Sequence, residues 1–315
     1  MRALVLDRLV SLRTNYSTPT PKTDEVLVRV LCAGICETDL QLVKGYMGFR
    51  GVLGHEFVGV AESGPFAGRR VVGEINCSCW LCETCRSGLP THCPNRTVLG
   101  IFNHDGAFAD LIAVPRRNLH LIPDSVPDEV AVFTEPVAAA FQIPAQLRIG
   151  RDDRIVVLGD GRLGNLCAQV LAGLSSRVLV VGKHQEKLSL LQSMGIRTAL
   201  LNDITPDRSA DIVVDCTGSD TGLPTALKLA RPRGTIVLKT TVAGEQTLAW
   251  APFVIDEVTL VGSRCGPFDQ ALAALEHKRI DVGPLISKRF SLSQGLEALE
   301  AAKTKPVLKV LIEMD

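Results

Sequence analysis

The sequence predicts a mixed α/β chain in which a β-rich part is joined to a doubly wound parallel sheet. Two observations carry this expectation. The first third alternates short runs rich in Val, Ile and Leu with Gly and Pro turns, the spacing of strands and loops. From about residue 154 the apolar runs alternate instead with segments of helical spacing, the pattern of a sheet covered by helices on both faces.

In chain order, EVLVRVLCAG (25–34), GHEFVGVAE (54–62), RRVVGE (69–74) and FADLIAVP (108–115) have strand length and β-branched content. RIVVLG (154–159) is a strand meeting a glycine-rich turn, and RLGNLCAQVLAGL (162–174) is the helix after it. SSRVLVVG (175–182), HQEKLSLLQSMG (184–195) and ADIVVDCTG (210–218) continue as strand, helix and strand. GLPTALKLARPRG (222–234) and TIVLKTT (235–241) read as a further helix and strand. Beyond about residue 263 the pattern loosens, closing with a helix in SQGLEALEAAKT (293–304) and a strand in PVLKVLIE (306–313). No internal repeat is visible beyond this rhythm.

Composition excludes several classes. The chain has 315 residues with 34 basic and 34 acidic side chains, so no net charge drives it onto nucleic acid or an anionic membrane. No apolar run approaches the roughly 18 residues of a membrane span. The opening MRALVLDRLVSLR is broken by Asp7 and arginines, unlike a signal peptide. A cytoplasmic location follows as the expectation. There, ten cysteines are not expected to form a disulfide framework, and five of them cluster between Cys77 and Cys93.

Within that cluster, Cys79-x2-Cys82-x2-Cys85-x7-Cys93 supplies four thiolates at spacings that wrap a tetrahedral zinc. Four protein ligands leave no open position, so this site is structural; Cys77, one residue from Cys79, is the spare. Three further zinc-competent side chains, Cys36, His55 and Glu56, stand in GICETDL (34–40) and GVLGHEFVG (51–59). Alone, one Cys and one His in a strand-rich region are more often packing residues than ligands.

The turn Gly159-Asp-Gly161-Arg162-Leu163-Gly164 lies between a predicted strand and a predicted helix, the context of a dinucleotide site. Gly159 permits the turn, Gly161 lets a pyrophosphate approach the backbone, and Gly164 lets helix and strand pack closely. NAD sites place an acid at the end of the second strand; here that position is Gly182, followed by Lys183 and His184. A small residue followed by cations favours NADP(H) over NAD(H).

GICETDL, GHEFVG, the cysteine lobe, TEPVAAA (134–140), GDGRLG and VVDCTG occur in the order found in the zinc-dependent medium-chain dehydrogenase/reductase superfamily, which the chain resembles over essentially its whole length. The resemblance implies a GroES-like catalytic domain (1–137 and 263–315) interrupted by a Rossmann domain (138–262), with two zincs per chain. It implies that Cys36 and His55 are catalytic zinc ligands and that either Glu56 or Glu135 is the third. Zinc would polarise the oxygen of a secondary alcohol, polyol or related carbonyl while nicotinamide exchanges the hydride. Thr38 resembles the hydroxyl that accepts the substrate proton, and Gln41 stands where the family often has a relay histidine. Thr217 lies in the cofactor stretch, and Lys309 resembles the late basic residue that reaches the cofactor phosphates. A homodimer or homotetramer is implied. A zinc-independent quinone or enoyl reductase usually lacks both the Cys36/His55 set and the lobe. A nucleotide-sensing zinc protein without turnover is the other alternative.

Overall fold

A computed structural model describes residues 1–240, 248 and 250–315. The chain divides into two compact units. The first comprises Met1–Glu135, Phe268–Lys278 and Leu285–Asp315, and the second Pro136–Pro267 and Arg279–Pro284.

The first unit is built on the strand Glu25–Gly34, with the bounds expected from sequence. Val26, Val28 and Val30 alternate into the core at 2% exposure or less, as the two-residue period of a strand requires. Three strands pair antiparallel with it: Glu56–Ala61, Leu111–Pro115 and Lys309–Glu313. Arg70–Gly73 and Leu119–Leu121 extend the sheet on one side, and Ile286–Ser291 pairs parallel with Lys309–Glu313 on the other. Ala3–Leu6, Val10–Arg13 and Gly51–Val52 form a separate three-stranded sheet, joined to the segment before Leu111 by the bridge Ala3–Ala109.

His120 ties the helix Phe268–Glu276 to this sheet. Its Nε2 lies 2.9 Å from Glu74 Oε1, its Nδ1 3.0 Å from Asp269 Oδ1, and its ring 5.2 Å from that of Phe268. Burial opposes charge on this imidazole, but Glu74 and then Asp269 outweigh it and raise the pKa above 6.5. Because the folded pKa is the higher one, the pair stabilises fully below about pH 6.5 and is lost as pH rises through the folded value. Asp269 is exposed, so the contribution is modest. His120→Gln is expected to cost on the order of 1 kcal/mol at pH 6 and almost nothing at pH 9. Thermal melting at both pH values checks this, and an equal loss at both would refute it.

The second unit holds a six-stranded parallel sheet in the order Arg197–Leu200, Val178–Gly182, Ile155–Leu158, Ala210–Asp215, Ala230–Leu238 and Thr259–Gly262. Numbered along the chain this is 3-2-1-4-5-6, the doubly wound Rossmann order. Its switch point lies between Ile155–Leu158 and Ala210–Asp215, where ligands bind beyond the carboxyl ends of the strands. The helices Arg162–Ala172, Gln185–Ser193 and Gly222–Leu229 form at the predicted places.

The Gly222–Leu229 helix ends five residues before the sequence expectation of residue 234. Pro232 lacks the N–H that a helix would need there, and the residue before a proline disfavours the helical region. The chain turns to strand at Ala230 and stays in it to Leu238. The end of the expected 235–241 strand, Thr241, lies outside the described residues.

Candidate metal and nucleotide sites

In the first unit, the strand Glu25–Gly34 delivers the chain to Cys36, and the helix Glu37–Val43 begins immediately after it. Asp39 makes this start specific. Fully buried, it accepts a hydrogen bond from the Cys36 backbone N at 2.8 Å and another from Gly54 N at 3.2 Å. Its Oδ1 also lies 3.3 Å from His55 Nδ1. One carboxylate therefore fixes Cys36 and the turn before His55, and places a negative charge beside the imidazole, whose Nδ1 makes no hydrogen bond among the described residues. A carboxylate behind a ligand histidine is the usual outer support of a metal site.

The result is a cluster in which Cys36 Sγ, a His55 ring nitrogen and a Glu56 carboxylate oxygen all lie within 4.8 Å of one another. His55 and Glu56 are buried and Cys36 is partly so. Thiolate, imidazole and carboxylate in a pocket of this size are a donor set that suits zinc. Burial opposes protonation of His55, but Asp39 and then Cys36 hold its pKa well above the ordinary value, so zinc would compete with that proton. Glu135, in the first turn of the helix Thr134–Gln146, does not join the cluster. Of the two carboxylates considered from sequence, the fold brings Glu56 to Cys36 and His55. Thr38 Oγ1 lies 3.8 Å from Cys36 Sγ, while Gln41 Nε2 donates to Glu37 Oε1 at 2.8 Å.

Lys309, which the family resemblance associates with the cofactor phosphates, is paired within the first unit. It is 1% exposed, with its ammonium paired to Glu56 and 5.3 Å from the Phe133 ring centre. Burial pushes its pKa down to about 8. Gly34 makes the room: a Cβ there would lie 2.6 Å from Lys309 Cε and 2.7 Å from Glu56 Oε2. Sequence reasoning passed over this glycine, although an isolated glycine within a strand signals a close approach.

The four cysteines of the lobe also converge. The Sγ atoms of Cys79, Cys82, Cys85 and Cys93 all lie within 4.8 Å of one another. Cys79 and Cys93 are 3.4 Å apart and Cys82 and Cys93 3.8 Å. A tetrahedron with metal–sulfur bonds of about 2.3 Å has edges of about 3.8 Å, so the spacing matches zinc. Backbone N–H groups of Leu81 and Cys82 draw Cys79 down to about 6, whereas burial pushes Cys85 up to about 12. Thiols this close cannot all ionise together, a conflict that a divalent cation removes. Cys77 stands outside the cluster in a two-residue ladder with Thr97, and burial pushes its thiol up to about 12.

In the second unit, Gly159 has φ +113°, a value that L side chains rarely adopt, and a Cβ there would lie 2.7 Å from Cys216 O. Gly161 caps the helix Arg162–Ala172 and has no heavy atom within 4 Å of where a Cβ would stand. Gly164 packs directly against Gly159 O. The turn thus leaves open space at a helix N-terminus, as a pyrophosphate requires. Arg162 and Leu163, in the first turn of that helix, are both partly exposed. Thr217 Oγ1 donates to Asp215 Oδ1 at 2.7 Å beside the same switch point. Gly182 ends its strand, with Lys183 exposed and His184 partly buried after it. Asp160, which sequence reasoning did not single out, bonds to the backbone of both residues.

With this geometry in hand, comparisons with known proteins place the chain. Residues 22–124 match the alcohol dehydrogenase GroES-like domain, and residues 163–277 match the zinc-binding dehydrogenase domain. A sorbitol dehydrogenase of Halalkalibacterium halodurans is 29% identical over 93% of both chains. The starvation-sensing protein RspB of Escherichia coli K12 is 32% identical over 70% of both. RspB from strain CFT073, solved with NADH, superposes with a TM-score of 0.90 at 26% identity, covering 100% of this chain and 99% of that one. A zinc-binding dehydrogenase of Sinorhizobium meliloti 1021, solved with NADP, gives 0.89 at 26% identity, covering 99% and 98%. The chain belongs to the zinc-dependent medium-chain dehydrogenase/reductase superfamily and is an oxidoreductase of the alcohol dehydrogenase type.

Proposed function

We propose that this protein transfers a hydride between a nicotinamide dinucleotide and a secondary alcohol or polyol, with zinc held by Cys36, His55 and Glu56. The observation that carries this reading is the convergence of those three donors within 4.8 Å in a chain of this superfamily. Zinc would supply a Lewis acid at the substrate oxygen, and nicotinamide would take or give the hydride.

The chain's own residues do the rest. Asp39 holds the Cys36 backbone in place and sets its charge beside His55. Thr38, beside Cys36, receives the substrate's hydroxyl proton. Gln41 cannot titrate, and its bond to Glu37 keeps it from passing a proton on. Lys309 is paired with Glu56, so a metal held by Glu56 would share that carboxylate with the ammonium. Glu135 stays outside the ligand set. For the nucleotide, NADP(H) has Lys183 and His184 in its favour, and the Asp160 carboxylate beside them stands against it. A second zinc belongs to Cys79, Cys82, Cys85 and Cys93, where it maintains the lobe.

Assembly into homodimers or homotetramers fits the edge of the second unit's sheet. The terminal strand Thr259–Gly262 is largely exposed, and Trp250, Val254 and Ile255 nearby in sequence are more than 65% exposed. A strand edge that no described strand pairs, with apolar neighbours, is a pairing surface. No helix among the described residues is long and apolar enough to cross a membrane.

The test is metal content of freshly purified protein together with reduction of NAD+ and NADP+ by a panel of secondary alcohols and polyols. Two zincs per chain and chelator-sensitive turnover are expected. One zinc per chain with turnover untouched by chelator would refute the reading.

A further inference from the structure

The strand Val178–Gly182 ends without the acid that would bind ribose hydroxyls, yet a carboxylate stands over that place. Asp160, between the first two glycines of the turn, folds its side chain across Gly182. A Cβ on Gly182 would lie only 2.6 Å from Asp160 Cβ and 2.8 Å from its Cγ. The room that a small residue at 182 promises in the sequence is therefore filled.

The carboxylate is also firmly held. Asp160 Oδ2 accepts hydrogen bonds from Lys183 N at 2.6 Å and His184 N at 2.7 Å. His184 Nδ1 lies 3.1 Å from both carboxylate oxygens. The Asp160 side chain is 9% exposed. Burial opposes its charge, but His184 and the two backbone donors hold its pKa below the ordinary carboxylate value, so it is an anion at neutral pH.

We propose that Asp160 is the ribose-recognising acid of this site, supplied from the glycine-rich turn instead of from the second strand, and that it selects NAD(H) over NADP(H). This rests on the reading of the second unit as the nucleotide site. Both backbone donors go to Oδ2, so Oδ1, which among the described residues meets only His184, keeps acceptor capacity for a ribose hydroxyl. A 2′-phosphate would meet a fixed negative charge there. His184 cannot offset it freely, because its ring is already engaged by Asp160. Lys183 contributes an exposed cation, which solvent screens.

The test is equilibrium binding of NADH and of NADPH to the intact protein, which needs no knowledge of the substrate. The wild type is expected to bind NADH about tenfold or more tighter than NADPH, the scale of a hydrogen bond to a charged group. Asp160→Ser should weaken NADH and strengthen NADPH, shifting their ratio by about tenfold or more toward NADPH. Asp160→Asn, which keeps the shape and removes the charge, should shift the ratio the same way if the serine variant is poorly folded. A merely structural Asp160 would weaken both nucleotides equally and leave the ratio unchanged, which overturns the proposal, as does a wild type that prefers NADPH. If the wild type binds neither nucleotide, the reading of the second unit fails, and the proposal fails with it.

Discussion

Replacing Cys36 with serine is expected to remove one of two zincs per chain and to lower turnover by at least about a thousandfold. The magnitude follows from the several kcal/mol that a Lewis acid contributes to a developing oxyanion, at a factor of ten per 1.36 kcal/mol. Serine preserves the size of the side chain but supplies a hydroxyl, which does not ionise near neutral pH as a metal-bound thiol does. The fold should survive, because the bond from the residue 36 backbone to Asp39 does not involve the side chain, and neither does that from Gly54. Metal analysis and turnover, read beside an unchanged melting temperature, separate loss of the site from loss of the protein. Retention of both zincs, with turnover within tenfold of wild type, would place the reacting centre elsewhere.

Much of this arrangement was legible in the sequence, for identifiable reasons. The strand Glu25–Gly34 could be bounded to the residue because alternating valines meet glycine at its end. The turn from Gly159 to Gly164 was legible because its glycines punctuate a strand and a helix, and the four lobe cysteines because ligand spacing is local. What escaped was non-local or weakly patterned. The edge strands Arg197–Leu200 and Thr259–Gly262 are only four residues long and mostly not buried, too short to stand out from their surroundings. The choice between Glu56 and Glu135 depends on how a strand and a helix are placed, which spacing along the chain does not encode. Lys309 lies 253 residues from its partner Glu56, and only the folded sheet, in which Glu56–Ala61 and Lys309–Glu313 flank Glu25–Gly34, brings that pair together. Asp160 is the sharpest case. The rule that looks for an acid at the end of the second strand found Gly182 and stopped, while the carboxylate reaches the same volume from the first strand's turn.

The second large effect is expected at Cys93. It is completely buried, and its Sγ is close to those of both Cys79 and Cys82. Little else holds the lobe: a ladder of Asn76–Cys77 with Thr97–Val98, the four-residue helix Glu83–Arg86 and a single turn at Pro90–His92. Elements this short do not fold alone, since nucleating a helix costs more than one turn returns. Zinc bound by four thiolates in comparably small domains contributes on the order of 10 kcal/mol of folding free energy. Cys93→Ser should therefore release the lobe zinc and expose residues 78–96 to limited proteolysis, while the zinc at Cys36 and His55 stays bound. The rest of the first unit keeps its own sheet and core, so the unfolding is expected to be local. The melting transition should broaden or split before it shifts as a whole. An unchanged zinc content with an unchanged cleavage pattern would mean that packing of four neutral thiols suffices to hold the lobe, and would remove the metal from its account.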